Sequence, residues 1–246
     1  MRLKFPINQI LSQLWQVFLP NVCQLCGMSV PDLVCSACCR AWLHQDQPRC
    51  RCCANLLLAA TKDTAICGAC LSRPPAFSLT TVLGDYAAPQ DRLIWALKFG
   101  NRLALARFFA GHLARAIKQE TDITDPFASP SLLIPIPLSQ SRLRQRGYNQ
   151  AWEVTKRLGR LCQIPARADG LIKVHDTRRQ AELPLAQRHK NLRGTFIAQT
   201  CVAGLHIGLV DDVMTSGATL EEPARALRGA GALSVRNYVL LRTPLH

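Results

Sequence analysis

The stretch His206–Leu220, HIGLVDDVMTSGATL, constrains the fold of this chain more than any other. Ile207, Leu209 and Val210 predict a short buried strand, expected to end where Asp211 and Asp212 begin. Thr215, Ser216, Gly217, Ala218 and Thr219 follow as a small-residue loop, and Leu220–Arg228 suits a helix. A strand feeding a glycine turn at a helix N-terminus leaves backbone N–H groups pointing outward, which suits a phosphate. Two aspartates beside a phosphate would repel it unless they engage something else, such as ribose hydroxyls or a metal. The segment therefore points to a sugar carrying a phosphate.

The rest of the chain supplies companions for that unit. Leu79–Tyr86, Leu132–Ile136, Leu171–Val174 and Val235–Leu240 are apolar and β-prone. Pro89–Phe99, Leu103–Lys118 and Asn149–Leu161 suit helices; Leu103, Ala106, Ala110, Leu113 and Ile117 recur with helical period. Strands alternating with helices predict an α/β fold, a parallel sheet flanked by helices with right-handed crossovers.

Ten of the twelve cysteines fall between Cys23 and Cys70. Eight form four C-x-x-C knuckles: Cys23/Cys26, Cys35/Cys38, Cys50/Cys53 and Cys67/Cys70. Both thiolates of such a knuckle reach one ion, so four knuckles make two four-thiolate zinc sites. Sequential pairing is the simplest arrangement, and interleaved pairing is the alternative. Cys39 and Cys52 are expected to be bystanders, and Cys162 and Cys201 core residues. Arg73-Pro74-Pro75 makes a stiff connector after the knuckles.

The N-terminus, MRLKFPINQILSQLWQVFLP, is basic and then apolar, but polar residues interrupt it and no small-residue cleavage site follows. Ile10, Leu14, Val17 and Phe18 suit one face of a short docking helix rather than a signal peptide, with membrane-surface contact as the minor alternative. No apolar run reaches the ~20 residues of a transmembrane segment. A chain without a signal peptide is expected in a reducing compartment, hence cytoplasmic, where thiols bind metal rather than form disulfides.

The net charge is +14, and it is uneven. Residues 139–193 hold 13 Lys and Arg against 4 Asp and Glu. That patch suits a polyanion, either nucleic acid or a heavily phosphorylated small molecule; the alternative is an ordinary solvated surface. Within it, Arg142, Arg144 and Arg146 alternate, a spacing that does not make one helix face and that suits an extended mobile loop meeting phosphates. Gly147 allows a tight turn, and Asn149 can cap the next helix. Pro135-Ile136-Pro137-Leu138-Ser139 ends a strand at the carboxyl edge, where α/β sheets bind ligands. A third cluster is Thr177-Arg178-Arg179-Gln180, with Leu183, Arg188, Asn191 and Phe196.

Taken together these motifs resemble a known family. Val210–Thr219 resembles the ribose-5-phosphate-binding motif of type I phosphoribosyltransferases. The four knuckles, Leu97-Lys98-Phe99, the P-x-P-L strand end, R-x-R-x-R-G-Y-N-Q from Arg142 to Gln150, and T-x-x-Q-x-x-L…R-x-x-N…F from Thr177 to Phe196 narrow the resemblance to the ComF family, also called GntX-like. With the docking helix read at 1–20, it implies a double zinc ribbon at 21–75 and a phosphoribosyltransferase-like domain at 76–246. Asp211 and Asp212 would face the ribose hydroxyls of phosphoribosyl pyrophosphate (PRPP). Thr215, Ser216, Gly217, Ala218 and Thr219 would hold its 5′-phosphate. The backbone at Leu138 and Ser139 would take the pyrophosphate with magnesium, and Arg142, Arg144 and Arg146 would cover the site. Two zinc ions would fill the ribbon. Lys173 departs from an expected arginine, and Arg51 and Cys52 from small polar residues.

The resemblance further implies a role in DNA uptake and utilisation, with single-stranded DNA and competence or DNA-processing proteins as partners. Some phosphoribosyltransferases place a carboxylate in the phosphate loop as proton acceptor. Thr215 stands there, so binding of PRPP is expected without an assigned catalytic residue; an active transferase on an unidentified acceptor, with no direct DNA role, is the alternative. Among the tryptophans, Trp95 and Trp152 are expected in the core, and Trp42 is the better candidate for stacking bases.

Overall fold

The computed structural model describes residues 22–43, 47–57, 66–121, 129–174 and 194–244. The expected docking helix at 1–20 and the cluster from Thr177 to Asn191 lie outside them. Strands β1 (Leu79–Val82), β2 (Leu132–Pro135), β5 (His206–Met214) and β6 (Ser234–Arg242) form one sheet in the order β1-β6-β5-β2. All three pairings are parallel, with Leu132 opposite Ile207, Val210 opposite Tyr238 and Leu79 opposite Arg236. The α/β class with a parallel sheet flanked by helices is thus as the alternation of elements required.

Side chains alternate across this sheet and build two cores. Leu132, Ile134, Ile207, Leu209, Val235 and Val239 pack with Leu220, Ala224 and Leu227 of helix α7 (Ala218–Gly229). Leu133, Val210, Tyr238 and Leu240 pack on the other face, with α3 (Asp91–Phe99), α4 (Ala104–Thr121) and α6 (Gln150–Cys162). Leu171–Lys173, β3, leaves the parallel sheet and pairs antiparallel with β4, Phe196–Ala198.

The cysteine-rich segment divides between these cores. Cys23, Val34, Cys38 and Leu43 join the core under α3 and α4, with the short helix α1 (Ser36–Trp42). Cys50, Cys52 and Phe77 join the α7 core, next to α2 (Gly68–Ser72). Thr80 N–H donates to the Arg51 carbonyl at 2.9 Å and ties this half to β1. The two halves of the segment therefore stand against opposite faces of the sheet.

Three expectations change. β5 does not stop at the aspartates but continues through Asp211 and Asp212 to Met214, because β6 pairs with it as far as Arg242. The Arg142–Arg146 stretch is not extended: it forms helix α5, Gln140–Arg146. Ser139 caps its start by accepting from Arg142 N–H at 3.4 Å, and Gly147 ends it at φ 77°, a left-handed conformation that glycine adopts without a Cβ clash. Finally, Trp95 is 63% exposed rather than core, while Trp152, Cys162 and Cys201 are half-buried.

Candidate functional site

Each half of the cysteine segment gathers one set of four thiols. Cys23, Cys26, Cys35 and Cys38 lie with all sulfurs within 4.8 Å of one another, and so do Cys50, Cys53, Cys67 and Cys70. The pairing is sequential. The sulfurs of Cys26 and Cys35 are 3.8 Å apart, and those of Cys53 and Cys67 3.7 Å. A tetrahedron with Zn–S bonds of ~2.3 Å has edges of about 3.8 Å, so both sets fit zinc. Cys39 and Cys52 stand outside, donating to the carbonyls of Val34 and Phe77.

The two sets are built alike. Cys35 N–H donates to Cys23 Sγ and Cys67 N–H to Cys50 Sγ, both at 3.3 Å. Burial opposes ionisation of Cys23 and Cys50, but backbone N–H groups outweigh it and bring these thiols down to about 6 and about 7. Burial and the neighbouring sulfurs drive Cys38 and Cys70 upward. Four thiolates crowded so closely need a cation among them, which is the chemistry zinc supplies.

The second site lies at the carboxyl edge of the sheet. Asp212 is 5% exposed, and both its oxygens are engaged. Lys98 Nζ, near the end of α3, lies 2.8 Å from Oδ1, and Gln150 Nε2, at the start of α6, donates to Oδ2. Asn149 places Gln150 there by capping α6, accepting from the N–H groups of Ala151 and Trp152. Asp211, 8% exposed, accepts from Asp212 N–H at 2.8 Å. Burial and then the Asp212 charge push its carboxyl up to about 7, against that N–H bond and the charges of Lys98 and Lys173. Either carboxylate can accept a hydrogen bond from a hydroxyl.

The loop after β5 turns on Gly217, at φ 83°. A Cβ there would lie 3.0 Å from Met214 Cε. Helix α7 starts at Ala218 with no side chain capping it, so Ser216–Thr219 presents the N–H groups of a helix start. Arg242, 1% exposed, donates from Nη1 to the Thr215 carbonyl and holds the loop from behind. Ser216, Gly217 and Arg242 share a cavity of ≈ 600 Å³ with Cys53, Cys67 and Cys70. A larger groove of ≈ 960 Å³, lined by Arg40, Arg107, Arg115 and His112, lies between the first cysteine set and α4, apart from this edge.

The remaining site candidates are placed unequally. Leu138 is half-buried and Ser139 buried, just beyond β2. Arg146 donates from Nη1 to Gln150 Oε1 at 3.0 Å and so reaches Asp212 through one residue. Arg144 turns to Gln140 Oε1 at 3.2 Å, and Arg142 is exposed. On a helix, residues two apart diverge by roughly 200°, so Arg142 and Arg146 share a side and Arg144 does not.

Sequence reasoning left Lys98, Gln150 and Arg242 out of the site. Lys98 was visible only as the middle of Leu97-Lys98-Phe99, and Gln150 as the end of the arginine motif. Arg242 carried one signal, a charged residue just past the apolar run that ends at Leu240 and Leu241.

No protein-family model matches the chain. Among curated proteins, DNA utilization protein YhgH of Escherichia coli O157:H7 is 32% identical over 227 residues, covering 91% of this chain and 98% of that protein. Competence protein F of Haemophilus influenzae is 32% identical over 179 residues, covering 72% of this chain and 78% of its own. Among solved structures, glutamine PRPP amidotransferase from B. subtilis, complexed with ADP and GMP, aligns over 55% of this chain and 26% of its own, at 24% identity and a TM-score of 0.34.

Proposed function

Since the chain belongs to the ComF family, we propose that it binds PRPP with magnesium at the Asp211–Asp212 edge, binds single-stranded DNA through its basic and zinc-ribbon surfaces, and acts in the cytoplasm in DNA uptake and utilisation. The names of its relatives, DNA utilization protein and competence protein F, support the DNA role. Among the described residues no helix is long and apolar enough to cross a membrane.

One observation carries the PRPP part. Two buried aspartates sit in the carboxyl-terminal half of a strand that leads, through Thr215–Gly217, into an uncapped helix start at Ala218. The helix start neutralises a 5′-phosphate with backbone N–H groups and its positive dipole end. Asp211 and Asp212 accept from the ribose hydroxyls, with Lys98 and Gln150 fixing the Asp212 carboxylate. Leu138 and Ser139, just beyond β2, take the pyrophosphate with its magnesium, and Arg146 adds positive charge at that edge. When bound, magnesium neutralises pyrophosphate charge. The phosphate loop begins with Thr215, not a carboxylate, so this geometry supports binding and supplies no proton acceptor there.

Calorimetry with PRPP and magnesium tests this reading. Wild type binds, and Asp211→Asn/Asp212→Asn loses affinity at least tenfold, about 1.4 kcal/mol. Absence of heat with wild type, or equal affinity in the double variant, refutes the site. Pyrophosphate release on screening nucleophiles would establish transfer to an acceptor.

A further inference from the structure

Helix α3 carries Lys98 into the site on one side and an exposed aromatic strip on another. Arg92, Trp95 and Phe99 stand at i, i+3 and i+7, so they follow one face. Trp95 is 63% and Phe99 56% exposed. Their ring centroids are 5.9 Å apart, and Arg146 of α5 lies over the Phe99 ring at 4.9 Å. Arg142 follows one turn back along α5, exposed like Arg92. The order across the surface is therefore cation, indole, phenyl, cation, cation. Asp91 adjoins the strip, but its Oδ1 is buried.

A soluble chain gains nothing in stability from two large aromatic rings left in water. Their value lies in what covers them. Alternation of flat apolar rings with guanidinium groups matches a chain of alternating bases and phosphates. It matches duplex DNA poorly, because paired bases hide their faces. We propose that Trp95 and Phe99 are the platform on which single-stranded DNA stacks its bases, with Arg92, Arg142 and Arg146 taking the flanking phosphates. The strip adjoins the carboxylate site. Phe99 touches Arg146, Arg146 is bonded to Gln150, and Gln150 to Asp212. A bound strand is thereby held at the mouth of the ribose-phosphate site. This assignment rests on the single-strand reading above and replaces Trp42 with Trp95 as the principal stacking residue.

Fluorescence anisotropy with a labelled oligodeoxythymidylate, and with an abasic strand of equal length, tests it. Trp95→Ala and Phe99→Ala each weaken oligodeoxythymidylate binding roughly 5- to 150-fold, the usual range for losing one base stack. They leave the salt slope unchanged, because stacking releases no counterions. Trp95→Phe recovers most of the loss. The abasic strand binds wild type weakly and does not distinguish it from Trp95→Ala. Arg92→Gln and Arg142→Gln instead flatten the salt slope by about 0.7 each. PRPP calorimetry on Trp95→Ala, unchanged from wild type, shows an intact fold. If wild type binds no single strand, the platform and the parent reading both fall. If wild type binds and both alanine variants bind equally well, the platform alone falls.

Discussion

The ionisation of Asp211 offers the most direct test of the site, because burial and the Asp212 charge together outweigh the groups that favour its charged form. Its carboxyl rises from 3.8 to about 7. In the pH interval between those values the native state holds a proton that the unfolded chain has released. Stability therefore falls as pH rises through this window, since ionising Asp211 is harder in the fold than out of it. Each pH step of one within the window corresponds to ~1.4 kcal/mol. Integration gives a loss from this one group of roughly 2–3 kcal/mol between pH 5 and pH 8. Asp211→Asn keeps the shape and removes the titration. Urea unfolding of both proteins at pH 5, 6, 7 and 8 isolates the effect of the aspartate pair, because zinc loss and the titrations of groups that do not interact with Asp211 are common to both. Relative to the variant, wild type should lose stability by that amount as pH rises. A gap constant to within about 0.5 kcal/mol, or one moving the other way, would show that Asp211 is ionised throughout and that the argument from burial is wrong.

Three further outcomes follow from the same geometry. Lys98→Met should destabilise by roughly 2–4 kcal/mol in urea unfolding, because Asp212 keeps its burial and loses its cation; a loss below 1 kcal/mol would mean that water already screens the pair. Cys38→Ser and Cys53→Ser should each lower bound zinc from two equivalents to one by elemental analysis, since the sets are separate and on opposite faces of the sheet; loss of both ions in either variant would contradict that independence. Gly217→Ala should cost roughly 1–2 kcal/mol of stability and weaken PRPP binding in calorimetry, because a Cβ at φ 83° is strained and crowds Met214; normal affinity would remove this loop from the phosphate site.

The α/β class, the parallel sheet and the cysteine sets were legible in the sequence because each is a local signal. Period-two and period-3.6 patterns, glycine after acids, and knuckle spacing depend only on neighbours along the chain. The arginine stretch was misjudged for a local reason too: alternate spacing outweighed the caps at Ser139 and Gly147, which were enough to close a two-turn helix. Trp95 was misjudged because helical residence does not say which face meets the sheet; Leu93, Ile94 and Leu97 took that face.

By itself the sequence determined which residues carry chemistry: eight thiols, two adjacent aspartates and a small-residue loop before a helix. Only the tertiary structure decided their company. It brought Lys98 and Gln150, from two helices far apart in the chain, onto the two oxygens of one buried carboxylate. It set Arg242 behind Thr215. It also sent the two cysteine sets to opposite faces of the sheet. The physical reason is that a charge in a low-dielectric site must be met by another group, and which group reaches it depends on how separate elements pack, not on spacing along the chain.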